Sequence, residues 1–346
     1  MKKIAFASIA LAALASAQVQ AQSTVTVFGV ADIGYVHTSA SGVSKNQLAS
    51  DGNTSSRLGF RGTEDLGGGL KAGFWLEGAL AIDSPGTLSL QRRSTVELMG
   101  NFGEIRLGRD YVPTFTNLTV AHHPFGTNGL GNAGQLYYPV AAGGTTSSTH
   151  VRSNNGINYF TPNMGGFQAN LMYAYGEKLS NAGATKNDDT YVGGRVSYGN
   201  GPLNLAYATG KTQYATGDYK QSNLAANYQM GPAKLMFLWG ENKVGVTKTT
   251  SNLIGTQYKV SDAGEVRASY TNLKASGFAA ASGVDNASQV TVGYLHSLSK
   301  RTAVYANYSV VDNKGAGTKF VVGGGNGVTT PGGNSTGYEM GVRHSF

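Results

Sequence analysis

Apolar residues recur at every second position along most of this 346-residue chain. Between Phe167 and Tyr175, one face reads Phe167, Ala169, Leu171, Tyr173 and Tyr175, and the other Gln168, Asn170, Met172 and Ala174. Val192, Val196 and Tyr198 oppose Arg195 and Ser197, and Ile254, Tyr258 and Val260 oppose Gln257 and Lys259. Val266, Ala268 and Tyr270 oppose Arg267 and Ser269, and Val290, Val292 and Tyr294 form a further apolar row. Successive side chains of a strand point to opposite faces, so this period dictates strands with one apolar and one polar side. After Ala21 no run of ~18 apolar residues offers a membrane-spanning helix. The 50 glycines alone would suit a disordered chain, but 19 tyrosines would not. Together they fit short strands, tight turns and an aromatic girdle.

A soluble β-sandwich gives the same alternation, so the punctuation decides. Tight turns are expected at Asp65-Leu-Gly-Gly-Gly69, Asn101-Phe-Gly103, Pro162-Asn-Met-Gly-Gly166, Gly199-Asn-Gly-Pro202, Met230-Gly-Pro232, Ser261-Asp-Ala-Gly264 and Leu298-Ser-Lys-Arg301. Longer polar segments lie near 37–54, 79–90, 111–152, 176–190, 210–220, 241–251, 272–287 and 312–335. Seven turns alternating with eight loops connect sixteen antiparallel strands. Short turns at one rim and long loops at the other describe an outer-membrane barrel. The expected fold is therefore all-β, a closed 16-stranded antiparallel transmembrane β-barrel with short periplasmic turns and long extracellular loops.

The first residues support export. Lys2 and Lys3 precede an apolar run from Ile4 to Ala17, and Val19-Gln20-Ala21 has the small-x-small form of a signal-peptidase site. The reading is a cleaved signal peptide over residues 1–21 and one barrel domain over 22–346. Losing Lys2 and Lys3 lowers the formal net charge of +8 by two. The remaining charges are dispersed, and an exported chain meets no nucleic acid. There is no cysteine, so packing and hydrogen bonds must hold the fold.

The last segment fixes the phase. Tyr338, Met340, Val342, His344 and Phe346 share one face, and Glu339, Gly341, Arg343 and Ser345 the other. Lipid cannot satisfy an open sheet edge, so the first strand, about Thr24 to Val36, must pair with the last. Sixteen strands leave room for an aqueous channel. Lys234-Leu-Met-Phe-Leu-Trp239 departs from the pattern by being apolar on both faces, which suits either a neighbouring subunit or a plugged part of the wall.

The chain resembles the general (non-specific) porins of Gram-negative bacteria, especially their β-proteobacterial branch. The segments that carry this are Ser23-Thr-Val-Thr-Val-Phe-Gly29, the stretch from Ser56-Arg-Leu-Gly-Phe-Arg61 to Phe74-Trp-Leu-Glu77, Arg92-Arg-Ser-Thr-Val96, Asn101-Phe-Gly-Glu-Ile-Arg-Leu-Gly-Arg109, Tyr159-Phe-Thr-Pro162, Leu298-Ser-Lys-Arg-Thr302 and Gly341-Val-Arg-His-Ser-Phe346. The resemblance implies a homotrimer whose third loop folds into each barrel. It also implies surroundings of outer-membrane lipid and lipopolysaccharide, and a C-terminal Phe346 read by the assembly machinery.

A diffusion pore needs no catalyst or cofactor. Its chemistry is a constriction whose fixed charges favour one sign of ion among the small hydrophilic solutes that pass. The longest loop, Tyr111 to Val151, is the expected constriction element, since loops of that length are usually functional or disordered. Between Asp110 and Arg152 it holds no Asp, Glu, Lys or Arg. Alternation points Arg57 and Arg61 into the lumen; it points Arg93 inward and Arg92 outward unless a bulge exchanges them. The resemblance carries the eyelet arginines onto Arg57, Arg92 or Arg93, and Arg152. With Asp110 at the root of the loop, these residues make up the expected constriction. The loop carries no acid to oppose the wall arginines, so the pore should pass inorganic anions; Asp32, Glu77 and Glu97 are the wall acids that would offset them.

Other signals are weaker. Gly129-Leu-Gly-Asn-Ala-Gly134 matches a phosphate-loop pattern but lacks the strand–turn–helix context. His122-His123 lacks supporting metal ligands. The tyrosines read as an interfacial girdle rather than a sugar track. A barrel enzyme would need a nucleophile and base in a recognisable motif, which none of the six histidines supplies. A plugged adhesin barrel would differ by not conducting, and a substrate-specific channel by saturable uptake.

Overall fold

The computed structural model describes residues 24–84, 86–119, 121–132, 134–137, 149–324 and 327–346. The leader expected over residues 1–21 lies outside the described residues. Seventeen strands form one antiparallel sheet closed on itself. They are β1 (Thr24–Ala40), β2 (Val43–Ser50), β3 (Arg57–Gly67), β4 (Leu70–Ala79), β5 (Arg93–Gly100), β6 (Gly103–Tyr111), β7 (Arg152–Phe160), β8 (Phe167–Ala174) and β9 (Tyr191–Asn200). The circuit continues with β10 (Leu203–Thr212), β11 (Tyr219–Met230), β12 (Ala233–Val244), β13 (Thr247–Lys259), β14 (Gly264–Ser276), β15 (Ala287–Ser297), β16 (Thr302–Asn313) and β17 (Asn334–Ser345). β1 and β17 close the barrel in register from Val30↔Ser345 to Ala40↔Ser335.

Seventeen strands occupy sixteen positions. Ile33–Ala40 of β1 pairs with β2, whereas Thr24–Val30 pairs with β3. The break between β2 and β3 has a cause in Asp32. Its fully buried carboxylate accepts the backbone N–H of Asn53 at 2.9 Å and of Thr54 at 2.6 Å, and the Tyr305 hydroxyl at 2.6 Å. Two of those donors come from the chain between the two strands, so the ladder yields there to a charge-assisted cluster.

All seven tight turns lie between the strands expected to flank them. Two of the eight loops are different. The first, at 37–54, is mostly a hairpin of β1 and β2 turning through Ser41 and Gly42, and the sixth, at 241–251, is a hairpin of β12 and β13 turning at Gly245 and Val246. Gly245 has φ +55°, as a two-residue hairpin turn requires. The polarity of these segments misleads because strands that rise beyond the bilayer are wet on both faces.

The sheet is inside out relative to a soluble sandwich. Val25, Leu171, Ile254 and Met340 are more than half exposed on the outer face, while Asp32, Asn170, Gln221 and Gln289 are buried within. Apolar residues outside and polar residues inside are the signature of a barrel in lipid.

The third loop runs along the inner wall. Two short helices, α1 (Pro113–Thr116) and α2 (Gly134–Tyr137), lie within its described part. Wall amides hold its carbonyls: Asn223 donates to Thr114 and Asn227 to Ala121, both at 2.8 Å, Gln257 to Pro124 at 2.9 Å, and Gln289 to Leu130 at 3.0 Å. Close approach is possible because the wall carries glycine where the loop presses. A Cβ at Gly255 would meet Pro124 at 2.5 Å, and one at Gly240 would meet Tyr137 at 3.0 Å.

This resolves the doubly apolar segment of β12. Leu238 packs inward with Leu118, Tyr137, Ala225 and Leu253, while Leu235 and Phe237 face outward. The inner face is apolar because the loop covers it, and burying one Leu there contributes roughly 1.5–3 kcal/mol. The plugged-wall alternative accounts for it without a neighbouring subunit.

Candidate functional site

The third loop lies over the wall from β8 round to β17, so the open lumen lies on the side of β1 and β3–β7. Strand pairing sets the side chains there in rungs: Gly59, Glu77 and Arg93 on one, and Arg61, Trp75, Thr95 and Gly108 on the next. Arg57 and Arg61 point inward as alternation requires, in register with Val30 and Thr26. Arg57 has no ion-pair or hydrogen-bond partner among the described residues. Arg61 lies 5.0 Å from the Trp75 ring centroid and 5.2 Å from that of Phe28, and Arg93 lies 4.6 Å from Trp75. Trp75 thus serves both guanidinium groups without cancelling either charge.

Arg92 and Arg93 both face the lumen, which corrects the expectation that only one does. Arg92 precedes the first residue of β5, where alternation no longer governs it. Its Nε donates to Glu77 at 2.6 Å and its Nη2 to the Tyr111 hydroxyl at 3.2 Å. Arg93 is paired with Glu97 and lies 3.7 Å from Asp110. Arg106, a residue that sequence reasoning passed over, sits between Glu104 at 2.5 Å and Asp110 at 3.0 Å.

The wall arginines are therefore not uniformly unopposed. Arg92, Arg93 and Arg106 share Glu77, Glu97, Glu104 and Asp110, whereas Arg57, Arg61 and Arg152 have no carboxylate within 4.0 Å among the described residues. Asp110 is buried under Arg106 and does not line the open space. Asp32 is likewise spent on the Asn53–Thr54 backbone rather than on a lumen cation.

Arg152, at the start of β7, stacks on Tyr111 with its guanidinium carbon 4.2 Å from the ring centroid, and its Nη2 donates to the phenol oxygen at 2.7 Å. Arg92 and Arg152 meet a cavity of about 480 Å³. Across it stand Thr127, Asn132 and Gln135 of the third loop, together with Lys319. Among the described residues, no carboxylate lines this cavity.

Lys319 belongs to the last long loop, which also folds inward. Asn313 clamps that loop, donating to the Phe320 carbonyl at 2.9 Å and accepting the Phe320 N–H at 3.0 Å. Phe320 and Val322 pack with Leu130 and Leu136 of the third loop, and Gln135 binds both backbone groups of Val321. The apolar run Phe320-Val-Val322 was the available signal, because a solvated loop has no use for it.

His122 and His123 anchor the third loop. His122 donates from Nε2 to Asn204 at 2.8 Å, and His123 accepts the Phe125 N–H at 3.1 Å. Burial pushes both imidazoles down to about 4, so they are neutral at pH 7 and add nothing to the lumen charge. Within the glycine-rich segment, the Leu130 N–H donates to Glu339 at 3.1 Å; the turn binds wall rather than phosphate.

A family model described as Gram-negative porin matches residues 7–316. The chain is 42% identical to outer membrane porin protein 32 of Delftia acidovorans over 98% of its own length and 99% of that protein's. It is 26% identical to an outer membrane porin protein of Bordetella pertussis, over 90% and 95% of the two lengths. Among solved structures it is similar to an anion-selective porin from Comamonas acidovorans, with 40% identity, a TM-score of 0.84, and 94% and 100% of the two chains covered.

Proposed function

The chain belongs to the Gram-negative porins, outer-membrane diffusion pores rather than enzymes, and on that premise we propose that its fixed lumen charges make it pass anions in preference to cations. The observation that carries this reading is the cavity lined by Arg92, Arg152 and Lys319 and, among the described residues, by no carboxylate. A narrow water-filled throat between low-dielectric walls focuses such a field. At ~4 Å and full water screening, each cation attracts a passing anion by ~1 kcal/mol. Arg152 and Lys319, with Arg57 and Arg61 on the approach, supply the positive field, and Arg92 contributes less because Glu77 faces it. Arg93, Arg106 and Asp110 compensate one another and hold the wall. That a relative with 40% identity is an anion-selective porin supports the same sign here.

In this reading the leader is removed after Ala21, and the barrel assembles as a homotrimer amid outer-membrane lipid and lipopolysaccharide. Phe346, with its ring exposed on the outer face, is what the assembly machinery reads. The test is the reversal potential of the purified protein in a planar bilayer across a potassium chloride gradient. The expected potential lies on the chloride side, and Arg57→Ala, Arg152→Ala or Lys319→Ala each reduces it. A potential on the potassium side overturns the anion assignment.

A further inference from the structure

The outer face carries a row of lysines that the pore does not use. Lys211 of β10 pairs in register with Lys220 of β11, Lys220 with Lys243 of β12, and Lys243 with Lys248 of β13. Four lysines thus stand side by side on four consecutive strands, at the end of the barrel that bears the long loops. With neighbouring strands ~4.8 Å apart, the row spans about 14 Å. Lys274 of β14 adjoins it one step lower, beside Thr250. Like charges directly opposite on adjacent strands are destabilising, and only two carboxylates meet these five lysines. Asp218 lies 3.4 Å from Lys211, and Glu241 lies 2.7 Å from Lys248, which leaves Lys220, Lys243 and Lys274 without an acid among the described residues.

The rows beneath say what the lysines face. Two residues down each strand come Thr209, Ser222, Glu241 and Thr250, and two further down come Tyr207, Leu224, Trp239 and Asn252. Next come Leu205, Ala226, Phe237 and Ile254. From the rim the order runs from cations, through a row of three hydroxyls and Glu241, to a row holding Tyr207, Leu224 and Trp239 and then an aliphatic and aromatic one, with the apolar rows beginning about 13 Å along the strand from the lysines. That is the order of a lipid monolayer from phosphate to acyl chain. The wall is also hollowed there: a depression of about 590 Å³ lies between the bare backbone of Gly193 and Gly194 and the side chains of Lys211, Lys220 and Lys243.

We propose that this row is a binding site for the phosphates of a bis-phosphorylated glycolipid of the outer leaflet, with Lys220 and Lys243 as its central contacts and Thr209 and Ser222 as hydroxyl partners to the sugar. The proposal deepens the reading that lipopolysaccharide surrounds the barrel, and rests on it. A phosphate between two ammonium groups relieves their repulsion, and the acyl chains continue down the Leu224 and Phe237 rows.

The test titrates the full barrel in mixed micelles with bis-phosphorylated lipid A, with the same lipid after removal of both phosphates, and with inorganic phosphate as competitor. Lys220→Ala combined with Lys243→Ala is expected to weaken lipid A binding at least tenfold, while the Lys→Arg pair retains it and conductance is unchanged in both. Removing the phosphates from the lipid should weaken binding to the native barrel to a similar degree. Equal binding by the alanine pair, or by the phosphate-free lipid, overturns the site. Displacement of lipid A by equimolar inorganic phosphate assigns the row to free ions and overturns the lipid assignment. Absence of binding by the native barrel to either lipid overturns the surrounding-lipopolysaccharide reading along with it.

Discussion

The Arg152 guanidinium carbon lies over the Tyr111 ring, 4.2 Å from its centroid, with the phenol oxygen accepting from the same guanidinium at 2.7 Å. Where an acid would orient this arginine by cancelling it, a phenol orients it and leaves its charge whole. Arg152→Ala should therefore lower the chloride-to-potassium permeability ratio about fivefold, the equivalent of roughly 1 kcal/mol. Tyr111→Phe keeps the stacking and the charge, so the ratio should change by less than about twofold. Paired reversal potentials under one salt gradient decide this, and a larger effect from Tyr111→Phe would mean that the phenol, not the guanidinium, sets selectivity.

Glu77 should act in the opposite direction. It accepts from Arg92 at 2.6 Å and from the Trp75 indole at 3.1 Å. Glu77→Gln keeps the shape and removes the negative charge, so the pore should become more anion-selective than the native protein. The mostly buried Arg92 loses its counter-charge, at a cost to stability of about 1–3 kcal/mol. Selectivity and thermal unfolding of one preparation separate the two effects. Unchanged selectivity would show that Arg92 does not face the ion path.

Alternation told inside from outside along each strand, because a one-residue error would put polar rows into lipid. It therefore gives Arg57 and Arg61 the inner face of β3, the face on which their register with Val30 and Thr26 sets them. It failed at Arg92, one residue before β5, where no ladder fixes the direction of the side chain. The absence of acids between Asp110 and Arg152 was legible, but the pairing of Arg93 and Arg106 with Glu97, Glu104 and Asp110 was not, since it needs the lateral register of neighbouring strands. Lys319 was hidden for a related reason. Its loop turns inward through contacts of Phe320 and Val322 with a loop nearly two hundred residues earlier in the chain, which no local pattern reveals.

The seat of the third loop gives a mutational test of its position. Gly255 leaves the space that Pro124 fills, with a Cβ there only 2.5 Å from the proline ring. Gly255→Val should push the loop off the wall while the ladders to Met236 and Ser269 remain. Single-channel recordings should show an altered and noisier conductance, with barrel folding retained in heat-dependent gel mobility. A quiet, native conductance would mean that the loop does not depend on this contact.

Acid should loosen the same loop through its histidines. Undocked, His122 and His123 titrate near ~6.5; docked, burial holds both at about 4. Between these values the undocked loop binds more protons, so docking is fully stable above ~6.5 and loses stability as pH falls toward 4. The shift corresponds to on the order of 3 kcal/mol per histidine. Neutral glutamines at both positions cannot charge, so His122→Gln with His123→Gln should flatten the pH dependence of conductance noise between 7 and 4. Noise that rises equally in the native and double-glutamine proteins would place the acid-sensitive group elsewhere in the lumen.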